Sequence, residues 1–325
     1  MDLYFDENYG KLYEKIENGK AEIFEYKDEN GKITNQFLIR KIPDKIEGKE
    51  YFDIVTPYGY GGSIIENLIG DKEKLLQRYQ EEFSKYCLEN NIVSEFVRFH
   101  PIVKNYEDFG KMYNAKYMRK TLITKLQEDD PVQNQFGKSC RKNIRQALNK
   151  GVTYKITQKP DNIDSFKDIY YSTMDRNSAT DYYYFDDEYF NNLLKYFKSN
   201  IIFIEAIFEN KVIAAGLYFT YKDIIHIHLS GTLTEFLYLS PAYILRYAVT
   251  LWGKENGYKL IHHGGGRSNS EEDSLYLFKK NFAKVYDTDF YIGRKIWNQE
   301  IYDKLCILKN IDKNEEFFPA YRKNS

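Results

Sequence analysis

The chain has 325 residues, about twice the length of a typical domain, so two domains or one large one are expected. Its 47 basic and 48 acidic residues nearly balance, which excludes binding of nucleic acid by bulk positive charge but not by a local basic patch. The three isolated cysteines fit neither a disulfide framework nor a zinc site, and no apolar run approaches the roughly 18–20 residues that span a bilayer. We therefore expect a folded cytoplasmic protein, which leaves open peripheral contact with a membrane-linked substrate.

The first part of the chain predicts a mixed α/β domain. Residues 21–42 alternate apolar and polar side chains around Glu29-Asn30-Gly31, a strong hairpin signal. The spacing of apolar residues then predicts a short strand, a helix and two further strands, at residues 51–55, 71–90, 96–99 and 121–126. Asp129-Asp130-Pro131 marks the end of this domain, which we assign to residues 1–128.

The second part, residues 129–298, predicts a longer arrangement of the same kind. A basic helix over 133–149 ends before Gly151, a residue type that favours helix termination. The elements predicted after it are a strand (152–157), two helices (163–176 and 187–198), three strands (201–207, 212–219 and 224–229), a helix (242–256), a strand (258–263) and a helix (273–282). The fold class is therefore α/β of the mixed α+β kind, in two domains.

The segment from 264 to 282 has the strongest indications of chemistry. Gly264-Gly265-Gly266 directly follows a predicted buried strand, and glycines there let the backbone approach a bound molecule closely. In the next helix, Phe278 belongs to the apolar face and Lys279 lies beside it. Such a lysine, with a nearby backbone N–H, could stabilise the oxyanion of a carbonyl under attack. Taken singly, a flexible turn and a solvated surface lysine are the plainer interpretations.

The basic helix offers a second candidate site. Lys138, Arg141, Lys142 and Arg145 fall on one face at helical spacing, so they could meet phosphates of a tRNA acceptor arm or of a nucleotide diphosphate. A solvated helix face is the alternative. For metals the sequence predicts no site, because no Glu or Cys completes a set with the alternating histidines at 226 and 228.

Five segments occur in the order in which one known family has them. They are Tyr51-Phe52-Asp53-Ile54-Val55-Thr56-Pro57-Tyr58-Gly59-Tyr60-Gly61-Gly62, Phe96-Val97-Arg98-Phe99-His100-Pro101, Arg141-Lys142-Asn143-Ile144-Arg145-Gln146-Ala147 with Gly151-Val152, Gly231 with Tyr238, and the glycine triplet followed by Ser274-Leu275-Tyr276-Leu277-Phe278-Lys279-Lys280-Asn281-Phe282. The series resembles the signature of the Fem aminoacyltransferases, a tandem branch of the GNAT acyltransferase superfamily. The match covers most of residues 51–282.

This resemblance implies two tandem GNAT-like domains without a coiled-coil arm, since no heptad run of that length is present. It also implies that residues 299–325 pack back on the domain of residues 1–128. The implied reaction moves an amino acid from aminoacyl-tRNA to an amine on a peptidoglycan precursor and needs no cofactor. The Phe278 backbone and the Lys279 side chain would face the reacting ester carbonyl. The residues implied in substrate binding are Tyr58, Tyr60, Arg176, Tyr238, Gly264, Gly265 and Gly266.

Two other functions stay open. A CoA-dependent GNAT holds the pyrophosphate of CoA with the amides of a glycine-rich turn at a helix N-terminus. The corresponding turn here, Leu237-Tyr238-Leu239-Ser240-Pro241-Ala242, has no glycine, which favours a donor other than CoA. A CoA-dependent N-acyltransferase acting on an amino sugar or another small amine is nevertheless the first alternative. A non-catalytic binding module on the same scaffold is the second.

Overall fold

The hairpin predicted from the Glu29-Asn30-Gly31 turn is present in the computed structural model, which describes residues 2–323. The strands, in chain order, are β1 (Gly19–Asp28), β2 (Gly31–Lys41), β3 (Phe52–Val55), β4 (Ile64–Leu68), β5 (Ile92–Arg98), β6 (Lys116–Lys125), β7 (Thr153–Gln158), β8 (Ile201–Phe208), β9 (Lys211–Tyr221), β10 (Ile224–Thr232), β11 (Leu260–Gly264) and β12 (Tyr286–Ile296). The helices are α1 (Glu7–Tyr13), α2 (Lys72–Glu89), α3 (Tyr106–Phe109), α4 (Pro131–Gln135), α5 (Lys138–Asn149), α6 (Asp164–Arg176), α7 (Asp187–Phe197), α8 (Pro241–Glu255), α9 (Ser274–Lys280) and α10 (Gln299–Leu308). The mixed α/β fold class is confirmed.

The chain divides by its internal contacts into two units. Unit 1 comprises residues 1–118 and 289–325, and unit 2 comprises residues 119–288. Both divisions, at 118/119 and 288/289, fall ten residues before the domain boundaries drawn from the sequence at 128/129 and 298/299, which stay a prediction. Within residues 2–323, α2 is the longest helix at 18 residues, so this part of the chain has no coiled-coil arm. No helix in the same range is long and apolar enough to cross a membrane.

Unit 1 contains a mixed sheet with a helix packed on it. β2 pairs antiparallel with β1, β3 and β4, β3 runs parallel to β5, and β5 pairs antiparallel with β12. The buried side chains of α2 repeat every four residues at Leu75, Tyr79, Phe83 and Cys87, so one face of the helix packs on the sheet. The C-terminal residues of the chain pack in the same unit, where the hydroxyl of Tyr321 lies 2.8 Å from that of Ser94.

Unit 2 contains the sheet that positions the candidate site. Its strand order is β6-β11-β10-β9-β8-β7, antiparallel except for the parallel pair β10 and β11. That pair is connected through α8, as a parallel connection requires. The two strands pair over only three positions, from Ile224 with Leu260 to His226 with His262, although β10 continues to Thr232 and β11 to Gly264. The sheet therefore opens between them just before the glycine triplet.

The prediction of one continuous basic helix over 133–149 is wrong, because the structure has two helices there, α4 and α5. Phe136 between them adopts an extended conformation and buries its ring against Phe282, with centroids 5.3 Å apart. The N–H of Gly137 donates to the carbonyl of Asn281 at 2.7 Å. These tertiary contacts interrupt the helix, and local helical spacing does not reveal them.

Candidate active site

The glycine triplet forms a tight corner between β11 and α9. Gly264 has a φ of +71°, a backbone conformation that residues other than glycine adopt only at a cost in free energy. Gly266 is needed for space, since a Cβ there would lie 2.5 Å from Oδ1 of Asp273. The glycines therefore bring the end of β11 and the start of α9 together.

Asp273 holds this corner closed. Its carboxylate accepts hydrogen bonds from the amides of Tyr276 (2.9 Å), Arg267 (3.0 Å) and Ser268 (2.9 Å), and from the Ser268 hydroxyl (3.1 Å). Partial burial alone would raise the pKa of Asp273, but these donors stabilise the carboxylate and lower it to about 2. The N-terminus of α9 is thus capped by the chain's own carboxylate, a role that the sequence pattern did not reveal.

Lys279 lies near the end of α9 and points back to the corner. Its Nζ donates to the carbonyl of Gly265 at 2.7 Å. Burial, together with the positive charges of Arg246 and Arg119, lowers the pKa of Lys279 to about 7, although the negative charge of Asp273 opposes the shift. The amine is therefore poised to change its charge near neutral pH, a property typical of groups at functional sites.

Arg246 is a cation of this site that sequence reasoning missed. It projects from α8 and is only 5% exposed, and its Nη1 donates to the hydroxyl of Tyr218 at 3.4 Å. Burial lowers the pKa of Arg246. A signal existed in the sequence: Arg246, Thr250 and Gly253 follow one another at helical spacing on a second buried face of α8.

A buried polar chain supports the helix from below. His263 on β11 lies with Nε2 2.9 Å from the hydroxyl of Thr124, which in turn donates to the carbonyl of Phe282 at 2.7 Å. Burial and the positive charge of Arg246 lower the pKa of His263 well below its usual value, so the ring is neutral. Phe278 sits within α9, and its ring packs edge-on against Tyr243 at 5.5 Å and Phe282 at 5.2 Å. The catalytic roles predicted for Phe278 and Lys279 stay predictions.

Arg176, predicted to bind substrate, borders an open pocket of unit 2. The pocket has a volume of about 530 Å³ and is lined by Asp168, Tyr171, Ser172, Asp175, Arg176 and Thr234. The guanidinium donates to Thr232 and Thr234 at 2.8–3.0 Å, and no carboxylate within residues 2–323 forms an ion pair with it. The volume is within the usual range for small-ligand pockets.

Three further predicted residues have different surroundings. Tyr238 is 64% exposed, and the Nζ of Lys150 lies 5.6 Å from its ring centre. In unit 1, Tyr60 packs within an aromatic cluster that includes Phe290, and the two ring centres are 5.5 Å apart. The hydroxyl of Tyr9 donates to the backbone carbonyl of Tyr58 at 2.8 Å. The predicted role of both tyrosines in substrate binding stays a prediction.

The basic face predicted on the helix is divided by the structure. Arg141 donates to the carbonyls of Gln133 and Phe136, so this side chain fastens α4 to α5. Lys138, Lys142 and Arg145 are exposed on α5. Three of the four predicted phosphate contacts are therefore accessible, and the fourth already has partners within the chain.

The turn before α8 has no glycine and a rigid start. Residues Thr234–Leu239 form a 3-10 helix, Ser240 follows with φ of +51°, and Pro241 begins α8. The proline supplies no N–H, so the turn offers fewer amides to a phosphate than a glycine-rich loop does.

The known proteins that this chain resembles include members of the Fem family, to which the sequence motifs also pointed. The profile of the FemAB family matches residues 97–211. The UDP-N-acetylmuramoylpentapeptide-lysine N(6)-alanyltransferase of Weissella viridescens is 25% identical over 187 residues, which are 56% of this chain and 54% of that protein. The chain thus spans about half the length of the curated relative it matches.

Two solved structures share the fold. FemX superposes with a TM-score of 0.69 at 14% identity, covering 93% of this chain and 94% of FemX. The L-PGS of Bacillus licheniformis superposes with a TM-score of 0.55 at 14% identity, covering 93% of this chain and 95% of that one. The chain has the fold of Fem-type proteins. Its resemblance to the Fem-type aminoacyltransferases is confirmed by the profile, the curated relative and this fold.

Proposed function

We propose that the protein is an aminoacyltransferase that moves an aminoacyl group to an amine on a cell-wall precursor of the peptidoglycan type, with aminoacyl-tRNA as the donor. The observation that carries this proposal is Lys279, a lysine with a depressed pKa held against a glycine corner at the opening between β10 and β11. The similarity to an alanyltransferase of peptidoglycan precursors supports the acceptor class. A tRNA donor would place the reaction in the cytoplasm.

In the proposed reaction the neutral amine of the acceptor attacks the ester carbonyl of the donor. A C–N bond forms, and the carbonyl oxygen becomes an oxyanion next to the ammonium of Lys279. The ester C–O bond then breaks, and the proton that the amine loses ends on the ribose oxygen that leaves. The cations at Arg119 and Arg246 raise the local positive potential, which favours the oxyanion further. No covalent enzyme intermediate is required, so catalysis comes from positioning and charge.

The choice of donor rests on the turn before α8. Ser240-Pro241 replaces the glycine-rich amide loop that would hold a CoA pyrophosphate, which argues against acyl-CoA. The test is a transfer assay with two donors, alanyl-tRNA and acetyl-CoA, and one acceptor, UDP-N-acetylmuramoyl-pentapeptide. We expect an amide product with alanyl-tRNA and none with acetyl-CoA. A product only with acetyl-CoA would replace the proposal with the CoA-dependent alternative, and binding of the acceptor without any product would favour the binding module.

The exposed part of the basic helix is expected to contact the tRNA. Each phosphate neutralised by a basic side chain contributes about one unit to the slope of log affinity against log salt concentration, somewhat less on single strands. Replacing Lys142 and Arg145 together by alanine should lower that slope by about one to two units. Fluorescence anisotropy of labelled tRNA across a salt series measures it.

The control for this experiment is Lys222→Ala, which removes an exposed lysine in the turn between β9 and β10. Arg141 is left intact because its substitution would release the two carbonyls that it holds. An unchanged slope in the double variant would refute the contact.

A further inference from the structure

Arg246 has an unusual environment for an arginine. Its side chain is buried in unit 2, and Nε has no hydrogen-bond partner within the described residues. The one hydrogen bond that its side chain makes within residues 2–323 goes to the hydroxyl of Tyr218, a neutral and fully buried group. Buried guanidinium groups are normally paired with a carboxylate, because a desolvated charge without a counter-charge is costly.

Two more cations belong to the same cluster, since both Arg246 and Arg119 act electrostatically on Lys279. Neither Arg119 nor Lys279 has a carboxylate contact within the described residues. Arg119 donates to the carbonyl of Gly266 at 2.5 Å, while its buried Nε has no partner within residues 2–323. Lys279 donates to the carbonyl of Gly265. Within residues 2–323, the hydrogen-bond partners of these three side chains are the carbonyls of Gly265 and Gly266 and the hydroxyl of Tyr218, and none of the three forms an ion pair with a carboxylate. Carbonyl oxygens satisfy donors but do not neutralise charge.

The negative charge nearby is already committed elsewhere. Among the described residues, Asp273 is the acidic group that acts on Lys279, and its carboxylate already accepts hydrogen bonds from three backbone amides and the Ser268 hydroxyl. Three cations against one anion leave about two positive charges uncompensated when Lys279 is protonated. A carboxylate ligand would supply one negative charge, whereas a diphosphate, or a phosphodiester with a neighbouring phosphate, would supply two.

We propose that Arg246, Arg119 and Lys279 form a binding site for the phosphate groups of a substrate. The guanidinium groups offer several N–H donors in fixed geometry, which suits phosphate oxygens, and the ammonium adds a point charge. Arg246 is then a binding residue that holds the phosphate-bearing substrate next to Lys279.

Two substrates could bring this phosphate, and here the inference rests on the proposed function. The 3′-terminal phosphodiesters of an RNA donor would lie close to the ester under attack. The diphosphate of a nucleotide-linked acceptor would lie farther from its reacting amine. Both have the same ligand chemistry, so binding experiments with each molecule must distinguish them.

The site makes a prediction about the charge of Lys279. The charged groups that face this amine are Arg246 from α8, Arg119 from β6 and Asp273 at the start of α9. The titratable ring of His263 on β11 is also nearby and is neutral. A bound phosphate adds negative charge, so it should raise the pKa of Lys279 from about 7 and lower the fraction of neutral amine at neutral pH. Electrophilic amine reagents react with the neutral amine, so phosphate binding should slow the labelling of Lys279.

The experiment measures labelling of Lys279 by trinitrobenzenesulfonate near neutral pH, quantified by peptide mass spectrometry on the whole chain. Inorganic pyrophosphate is the first probe. We expect it to slow labelling of Lys279 by about fivefold or more, because a rise of one pKa unit lowers the neutral fraction up to about tenfold. Labelling of the exposed Lys222 should not change and serves as the internal control. Equal slowing at both lysines, or none at Lys279, would overturn the site.

Variants test the assignment of Arg246. Arg246→Met should abolish the protection by pyrophosphate, Arg246→Lys should retain part of it, and Lys222→Met should retain all of it. Because a buried substitution could impair folding, Arg119→Met provides a second variant in a half-buried position and should weaken the protection. Full protection in folded Arg246→Met and Arg119→Met would contradict the assignment.

The final comparison replaces pyrophosphate by a short RNA hairpin ending in CCA or by a UDP-linked muramoyl peptide. Protection by the hairpin at lower concentration assigns the phosphate to the donor, and protection by the UDP compound assigns it to the acceptor. Protection by neither would refute a substrate phosphate site. If protection occurs but no aminoacyl transfer is detected, the site stands and the proposed function fails. If transfer occurs without protection, the proposed function stands and the phosphate site fails.

Discussion

Replacing Lys279 by alanine is expected to lower the rate of aminoacyl transfer by about a hundredfold or more, the usual effect of removing one donor from an oxyanion site. In the proposed mechanism the ammonium stabilises charge that exists only in the transition state, so the loss should appear in kcat. Loss of the proposed phosphate contact would in addition weaken binding of the substrate that carries the phosphate. Single-turnover transfer from alanyl-tRNA, together with acceptor binding measured by calorimetry, separates the two quantities. A rate within tenfold of wild type would refute the role.

The pKa of Lys279 also predicts in which direction the rate of transfer changes with pH. The pKa of Lys279 is lowered to about 7, so the ammonium predominates below that pH and is lost above it. For the free enzyme we expect kcat/KM to contain a limb that falls as pH rises through about 7. If the substrate phosphate binds at Arg246, the corresponding limb in kcat should lie at higher pH, because the bound anion favours the ammonium.

Lys279→Arg is the matched variant for this profile. A guanidinium stays charged throughout the accessible range, so the falling limb should disappear even if the absolute rate is low. The rising limb from deprotonation of the acceptor amine is common to both proteins and cancels in their ratio. A falling limb of the same pKa in Lys279→Arg would assign the titration to another group.

The sequence predicted that Lys279 and the glycine triplet belong together, and in the structure the Nζ of Lys279 donates to the carbonyl of Gly265. The glycine triplet and Lys279 could be predicted because both lie within one short stretch of chain, where the spacing of a strand, a turn and a helix is visible. Arg246 was missed because it lies more than thirty residues earlier in the chain, and only folding brings the two cations together. Asp273 was missed because its bonds to the amides of Arg267 and Ser268 depend on how the chain turns between β11 and α9.

In the fold as well, the elements set by local spacing could be predicted and those set by long-range contacts could not. The hairpin, α2, α8 and the strands β8 to β10 follow from alternation and helical spacing, which local sequence records. The break between α4 and α5 depends on the contact of Gly137 with Asn281, 144 residues further along the chain, so no local pattern could predict it. The pairing of β4 with β2 was missed as well, because β4 is short and mostly polar after its first residues.

A second large effect is expected in unit 1, where Glu95 is 1% exposed on β5. Its Oε1 accepts from the Asn35 amide at 3.0 Å and the Tyr113 hydroxyl at 3.1 Å, and its Oε2 accepts from the Trp297 indole at 3.2 Å. Burial raises the pKa of Glu95 to about 7, and the three donors oppose the rise without cancelling it. The folded carboxyl therefore binds its proton more tightly than the unfolded one.

The sign of the resulting pH dependence follows from proton linkage. Between the unfolded pKa of about 4.5 and the folded pKa of about 7, the folded state holds more protons, so the free energy of unfolding falls as pH rises. Across that window the loss from this one group is on the order of 3 kcal/mol. Glu95→Gln removes the titration, and its unfolding free energy should lose that part of the slope.

Urea unfolding of both proteins at several pH values between 4 and 8 tests this, with the fluorescence of Trp297 as the probe. Trp297 contacts Glu95 directly, and a Trp252→Phe background removes the other tryptophan. The absolute stability of Glu95→Gln is not the test, because its amide nitrogen could face the Trp297 N–H and lose that hydrogen bond. The difference in slope is the test, with the exposed Glu89→Gln as the control that should keep the wild-type slope. Parallel curves for Glu95→Gln and wild type would mean that Glu95 is ionised in the folded protein throughout, stabilised by its three donors.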